Sequence, residues 1–340
     1  MNKGDTAPTW PAGTRRQFLG RSMAGGAALL APGFPRIARA QDGYPNRAIR
    51  IVVNNAPGGV GDLTVRLVGQ HMSEMFGQPV VIDNRGGAGG ILAANQLLGA
   101  PADGYTLMTA GNATAVRPAL FRSLPYDVQR DFASVSTMAF FPIGIVVSPD
   151  SPLRTAQDFI RKAKEDGRDL NIGTIAIGST QHLVAEMFKA TVGSQATTVP
   201  FSSTPQLLNA LLRKDVDVGF EILAPVWSQM EDRTLRVLAV TQATRVPNLP
   251  DLPTLAESGL PGFDAASWNS IVARSGTAPE IVAKLSTTIN TILNRPDVRK
   301  TLLDVGVEPR GSTPQDLDAL TAKEMVRWRE VIETAGIPKQ

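Results

Sequence analysis

Apolar positions along this 340-residue chain fall into short β-branched runs separated by stretches with a 3.6-residue repeat, almost to the end. Strands are expected over 49–53, 80–83, 105–109, 143–147, 170–173, 197–201, 216–220, 235–241 and 268–273. Helices between them make the chain α/β, with parallel sheets covered by helices. The first helix is expected from Asp62 to Phe76, with Leu63, Leu67, His71 and Met75 on one face. Helix starts are signalled by Thr155 before Asp158, Thr204 before Pro205 at the first helical position, and Thr313 before Pro314. Two terminal helices, 280–293 and 315–334, follow the last strand. No repeat or flexible linker interrupts the pattern, so two bodies would be joined by strands crossing between them. The runs 140–147 and 266–273 are the candidates, which makes one body discontinuous.

Residues 1–40 do not fit this pattern. Arg15 and Arg16 precede Gln17-Phe18-Leu19, a modestly apolar run from Met23 to Ala31 follows, and Ala38-Arg39-Ala40 offers a small-x-small cleavage site. This is the organisation of a twin-arginine export signal. The run is far short of the roughly 20 residues that span a bilayer. It also changes the charge picture: of 34 basic and 31 acidic residues, six and one lie in 1–40, which leaves 28 and 30. The mature chain, near neutrality, has no electrostatic case for nucleic acid or anionic lipid. With no cysteine, disulfides, thiolate metal sites and a Cys nucleophile are excluded. No later run reaches membrane-spanning length, so the expectation is a soluble, monomeric protein.

Three small-residue loops each follow a strand and precede a helix: APGGVGD at 56–62, NRGGAGG at 84–90 and AIGST at 176–180. Ligands of α/β sheets sit at the carboxyl ends of strands. Glycine lets backbone N–H groups approach an anion, and the following helix adds about half a positive charge. A dinucleotide fingerprint fails because Thr64 and Leu92 stand where a third glycine is required, and GxxxxGK[ST] is missing. None of the loops carries a nucleotide clamp, Arg85 being the one basic residue, so carboxylate is favoured over phosphate. Of the two histidines, His71 falls on the expected apolar face, and His182 stands four residues before Glu186, a metal pair only if a third ligand converged. No GxSxG or HExxH occurs. No metal and no cofactor is expected.

In order from residue 44, the segments YPNRAIRIVV, APGGVGD, NRGGAGG, DGYTLM, LPYDVQRDFASVS, GSTQHLVAEMF, LAVTQATRVPNLPDLPTLAESGLPGF, SGTAPEIVAKL and VEPRGSTPQDL closely resemble the Bug family. These are the extracytoplasmic solute receptors of tripartite tricarboxylate transporters. The resemblance implies a type II periplasmic-binding-protein fold with two lobes and a ligand cleft between them, here 44–142 with 268–340, and 143–267. It further implies a periplasmic, non-enzymatic receptor for a small carboxylate, handing its cargo to the large and small membrane subunits of the transporter.

Family loops hold a carboxylate largely through backbone amides and bound water. By resemblance these are Gly58, Gly59 and Asp62 in one lobe and Gly178, Ser179 and Thr180 in the other. Asn112, Ala113 and Thr114 would line the cleft, Glu221 would face it, and Phe201 hints at an apolar part of the ligand. Departures are Gly61 where Thr is common, Phe201-Ser202-Ser203 for a Tyr-Lys-Gly triplet, Ile175 and Ala176 before GST, Arg117 for Asn, and Glu221 for Asp. Anchoring that depends on loop shape should survive them, whereas ligand identity does not carry over. A co-receptor docking on a sensor kinase and an envelope hydrolase using Ser179 and His182 are the other readings.

Overall fold

The computed structural model describes residues 43–340 apart from 56, 87–89 and 166. The expected export signal and the middle of the 84–90 loop lie outside the described residues.

Among the described residues the strands form two sheets. β1 (Ile49–Val53), β2 (Val80–Asn84), β3 (Thr106–Gly111), β4 (Phe132–Phe141), β10 (Ser267–Arg274) and β11 (Glu308–Pro309) make the first, in the order β11-β4-β10-β3-β1-β2. The second is β7-β6-β8-β5-β9, from β5 (Ile143–Val147), β6 (Asn171–Ile175), β7 (Thr197–Phe201), β8 (Val218–Ile222) and β9 (Arg236–Val240). The sheets are mixed rather than parallel. β1 pairs parallel with β2 and β3, and β6 with β7 and β8, through helical crossovers. β4, β5 and β10, which carry the chain between sheets, enter antiparallel to their neighbours.

β4 is a strand the hydrophobic pattern does not reveal. The run 140–147 is split by Pro142, which has no N–H for a ladder: Phe141 ends β4 and Ile143 opens β5 in the other sheet. The return passes through Ala265, whose N–H donates to the Thr241 carbonyl (2.9 Å) and whose carbonyl accepts from Thr241 Oγ1 (2.7 Å), before β10 rejoins the first sheet.

α1 (Val60–Phe76), α9 (Pro279–Leu293) and α10 (Pro296–Leu303) pack on one face of the first sheet. α2 (Ile91–Leu98), α3 (Asn112–Leu120), α4 (Val128–Asp131) and the first turns of α11 (Pro314–Thr334) cover the other. α5 (Ala156–Glu165) and α6 (Thr180–Val192) flank the second sheet on one side, where Phe159 stacks on Phe188 at 4.5 Å between centroids. α7 (Thr204–Arg213) and α8 (Trp227–Glu231) flank its other side.

α1 buries only part of the expected face: His71 is buried and Leu67 packs against the core. Val65, Val68 and Met72 are sealed, while Leu63 is 41% and Met75 47% exposed. Steps of four residues advance 400°, so a 63-67-71-75 stripe drifts round the helix; 65, 68 and 72 alternate steps of three and four and stay on the core side. The expected caps at Thr155 and Thr313 form, each with a reciprocal bond to the aspartate three residues on. At α7 the cap position is Ser203 instead, Pro205 is the second helical residue, and the Thr204 hydroxyl serves elsewhere.

Candidate functional site

Three helix N-termini converge where the two sheets face each other. Asn54 and Asn55 follow β1, and the chain turns through Gly58 (φ +89°) into α1. β3 ends at Gly111, where a Cβ would stand 2.3 Å from the Trp268 carbonyl of β10; glycine here lets the two backbones meet and α3 begin at Asn112. From the second sheet, β6 leads through Gly178 (φ +81°) to Ser179, the N-cap of α6.

Between these starts lies a cavity of about 140 Å³. Its walls include Asn54, Asn55 and Gly61 of the first loop and helix turn, Asn112 and Ala113 of α3, Thr180 of α6, and Ser267, Trp268 and Asn269 of β10. Among the described residues none of its lining side chains is Asp, Glu, Lys, Arg or His. What these walls offer an anion is helix ends, each worth about half a positive charge, and neutral donors.

Asn112, itself 1% exposed, ties the surroundings together. Its Nδ2 donates to Thr180 Oγ1 (2.8 Å), from the first-sheet side to the second, and its Oδ1 accepts from Trp328 Nε1 of α11 (2.7 Å).

Of the residues expected from sequence, the structure places Asn112, Ala113 and Thr180 on the cavity. The rest have other positions. The Gly58 N–H donates to Asp62 Oδ2 (3.0 Å), and Gly59 is the N-cap of α1. Asp62 is buried and braces the loop: Arg66 Nε donates to it at 2.8 Å and Asn84 Nδ2 at 2.8 Å. Burial alone would raise its pKa, but the bonds from Arg66, the Gly58 amide and Asn84 hold it down at about 2. Thr114 lines a separate cavity of about 280 Å³ behind β3 and β10. A Cβ on Gly178 would meet Leu120 of α3 at 2.7 Å, so this turn seats α6 against α3. Phe201 packs with Leu207 and Val216 in the second core. Glu221, expected to face the cleft, is wholly buried instead. Its carboxylate accepts from Gln181 Nε2 (2.7 Å), Thr204 Oγ1 (2.8 Å) and the Ile222 N–H (2.8 Å), pinning the starts of α6 and α7 to β8. Burial pushes its pKa up against the pull of those bonds.

The Ser179–His182 pairing that hydrolysis would need is not assembled. Ser179 Oγ donates to the Ile175 carbonyl (3.2 Å) and accepts from the His182 backbone N–H (3.2 Å). The His182 ring is buried, which lowers its pKa, and its Nδ1 has no partner. Arg85 pairs with Asp83 at 3.0 Å. Among the described residues no group of three potential ligands surrounds a metal position, and no helix is long and apolar enough to cross a membrane. Asn54, Asn55, Ser267, Trp268 and Asn269 were not singled out by the sequence. The paired asparagines before APGG and the polar residues inside the apolar SWNSIVA strand are the signals that could have flagged them.

A family profile described as "Tripartite tricarboxylate transporter family receptor" matches residues 64–337. BugT of Bordetella pertussis is 31% identical over 297 residues, covering 87% of this chain and 91% of its own. Among solved structures, an R. palustris protein with adipate is 36% identical with a TM-score of 0.76, over 87% of this chain and all of the other. MatC from Rhodopseudomonas palustris with bound malate is 31% identical with a TM-score of 0.70, over 85% of this chain and all of the other. The periplasmic binding protein BugD is 29% identical with a TM-score of 0.72, over 87% of this chain and all of the other.

Proposed function

This chain belongs to the tripartite tricarboxylate transporter receptor family, and on that premise we propose that it is an exported periplasmic receptor that closes on a small carboxylate and delivers it to the transporter's membrane subunits. The family is one of substrate-binding receptors rather than enzymes. The observation that carries the reading is the convergence of the α1, α3 and α6 N-termini on one cavity with no charged side chain among its described lining residues. Oriented amides and helix dipoles complement an anion. A cationic ligand would face the positive ends of three helices with no carboxylate among the described lining residues, the Asp62 carboxylate near the α1 start being engaged by Arg66, Asn84 and the Gly58 amide. The cargo of the adipate- and malate-bound relatives is of the same class.

Binding is expected to draw the bodies built on the two sheets together. A solute touching both α1 and α6 favours the arrangement in which both are within reach, and that differential affinity shifts the population. At about 140 Å³ the cavity is below the roughly 300 Å³ at which drug-sized sites begin, which suits a compact acid.

The test is a melting screen of the full chain against mono-, di- and tricarboxylates, with cationic and neutral solutes as controls. A carboxylate at a hundred times its Kd should stabilise the fold by about 2.7 kcal/mol, seen as a rise in Tm. The reading is sunk if no carboxylate shifts the melt while a cationic solute does.

A further inference from the structure

Among the described residues, two on the wall of this cavity carry a buried donor without a partner, Trp268 Nε1 and Asn269 Nδ2, and it is Asn269 that faces a helix start. Asn269 sits in β10 opposite Gly111 of β3 and Ala139 of β4, at the point where the β10–β4 register shifts. The irregularity leaves the Ala139 N–H to be met by a side chain, and Asn269 Oδ1 accepts it at 3.1 Å. That bond fixes the amide's orientation. An N–H needs an acceptor, so the oxygen must face β4 and the nitrogen must face away. Asn269 Nδ2 is fully enclosed, belongs to a residue only 8% exposed, and has no hydrogen-bond partner.

What it faces is the first turn of α1. A Cβ built on Gly61 would lie 3.9 Å from Asn269 Nδ2 and 3.3 Å from Asn55 Nδ2, both on the cavity wall. A threonine hydroxyl at position 61 would stand within reach of the Asn269 amide and give it an internal acceptor; glycine leaves the donor to the cavity.

We infer that Asn269 Nδ2 is a ligand-contacting, specificity-determining donor, and that Gly61 keeps it available to a carboxylate oxygen of the cargo. The inference deepens the receptor reading and rests on it. An enclosed N–H₂ left unpaired is costly, so a solute that brings an acceptor to this point gains a bond that no displaced internal partner offsets. A solute presenting a donor or a methyl there leaves the group unpaired and is rejected. The discrimination therefore arises in the connecting strand, at the point where it meets the first glycine loop.

Calorimetry on the full chain with the tightest carboxylate of the melting screen tests it, at pH 8. Asn269→Asp keeps the oxygen that accepts from Ala139 and replaces the donor by an acceptor of the same shape. Its affinity is expected to fall at least tenfold. Gly61→Thr, which changes no residue of β10 or β4 and acts on Asn269 only through the new hydroxyl, is expected to weaken the same carboxylate by a similar factor without lowering the ligand-free Tm. The double variant should lose little beyond either single one, since both remove the same bond. If parent and both variants bind the carboxylate within a factor of two, the assignment of Asn269 is overturned and the receptor reading stands. If the parent binds no carboxylate, both fall together.

Discussion

Asp62 and Glu221 are both buried carboxylates, yet their surroundings act on them in opposite directions. Asp62 is braced by a guanidinium and two amides, and its folded pKa of about 2 lies below its ordinary value of 3.8. A depressed folded pKa contributes stability that is complete above the ordinary value and is lost as pH falls from 3.8 towards 2. Asp62→Asn should therefore cost about 1–3 kcal/mol at neutral pH. In urea melts at a series of pH values the gap from the parent should shrink below about pH 3. Glu221 has a raised pKa, so the folded state binds its proton more tightly than the unfolded chain and stability declines as pH rises through the raised value. Glu221→Gln should gain on the parent as pH rises, and a constant difference across the series would contradict this sign. Neither role was legible in the sequence. The partners that make Asp62 a brace and Glu221 a clasp include Asn84, Gln181 and Thr204, which only the fold brings near.

At the scale of elements, the strands that alternate with helices were legible because β-branched runs such as IRIVV and IGIVV have one reading. β4 was not, because FASVSTMAFF carries Ser136 and Thr137 at buried positions. Their hydroxyls are satisfied by the Ser312 and Arg310 carbonyls, more than 170 positions later, so a strand that reads as half polar is a core strand. The terminal helices were legible in extent, but not in where α11 goes. Its Leu317 packs on the first sheet and its Trp328 and Ile332 lie in the core of the second. Trp328→Ala should cost about 3–5 kcal/mol by thermal or urea melting, as for other sealed aromatics. Trp328→Phe keeps most of the packing but leaves Asn112 Oδ1 without its donor, and should cost about 1–3 kcal/mol. Equal costs for the two would show that packing is not what α11 supplies.

Taken whole, the molecule is two sheets joined at Pro142, at Ala265–Ala266 and along α11, with Asn112 reaching Thr180 between them. Asn112→Ala removes that cross-sheet bond and its link to Trp328. In small-angle scattering the ligand-free variant should be more extended than the parent, and a saturating carboxylate should narrow the difference. Identical profiles for the two ligand-free proteins would show that Asn112 does not hold the sheets together.

The interleaving of strands also bears on how the chain can be made. β10 sits between β3 and β4, so the first sheet has a gap until residues 267–274 have left the ribosome. The second sheet's core is unsealed until Trp328 of α11 arrives. Neither half can reach its final form before those residues are made, because contacts this distant in sequence close only once both partners exist. Docking of α11 is therefore a late step of assembly: ribosomes stalled short of it would present exposed strands to chaperones rather than a finished lobe.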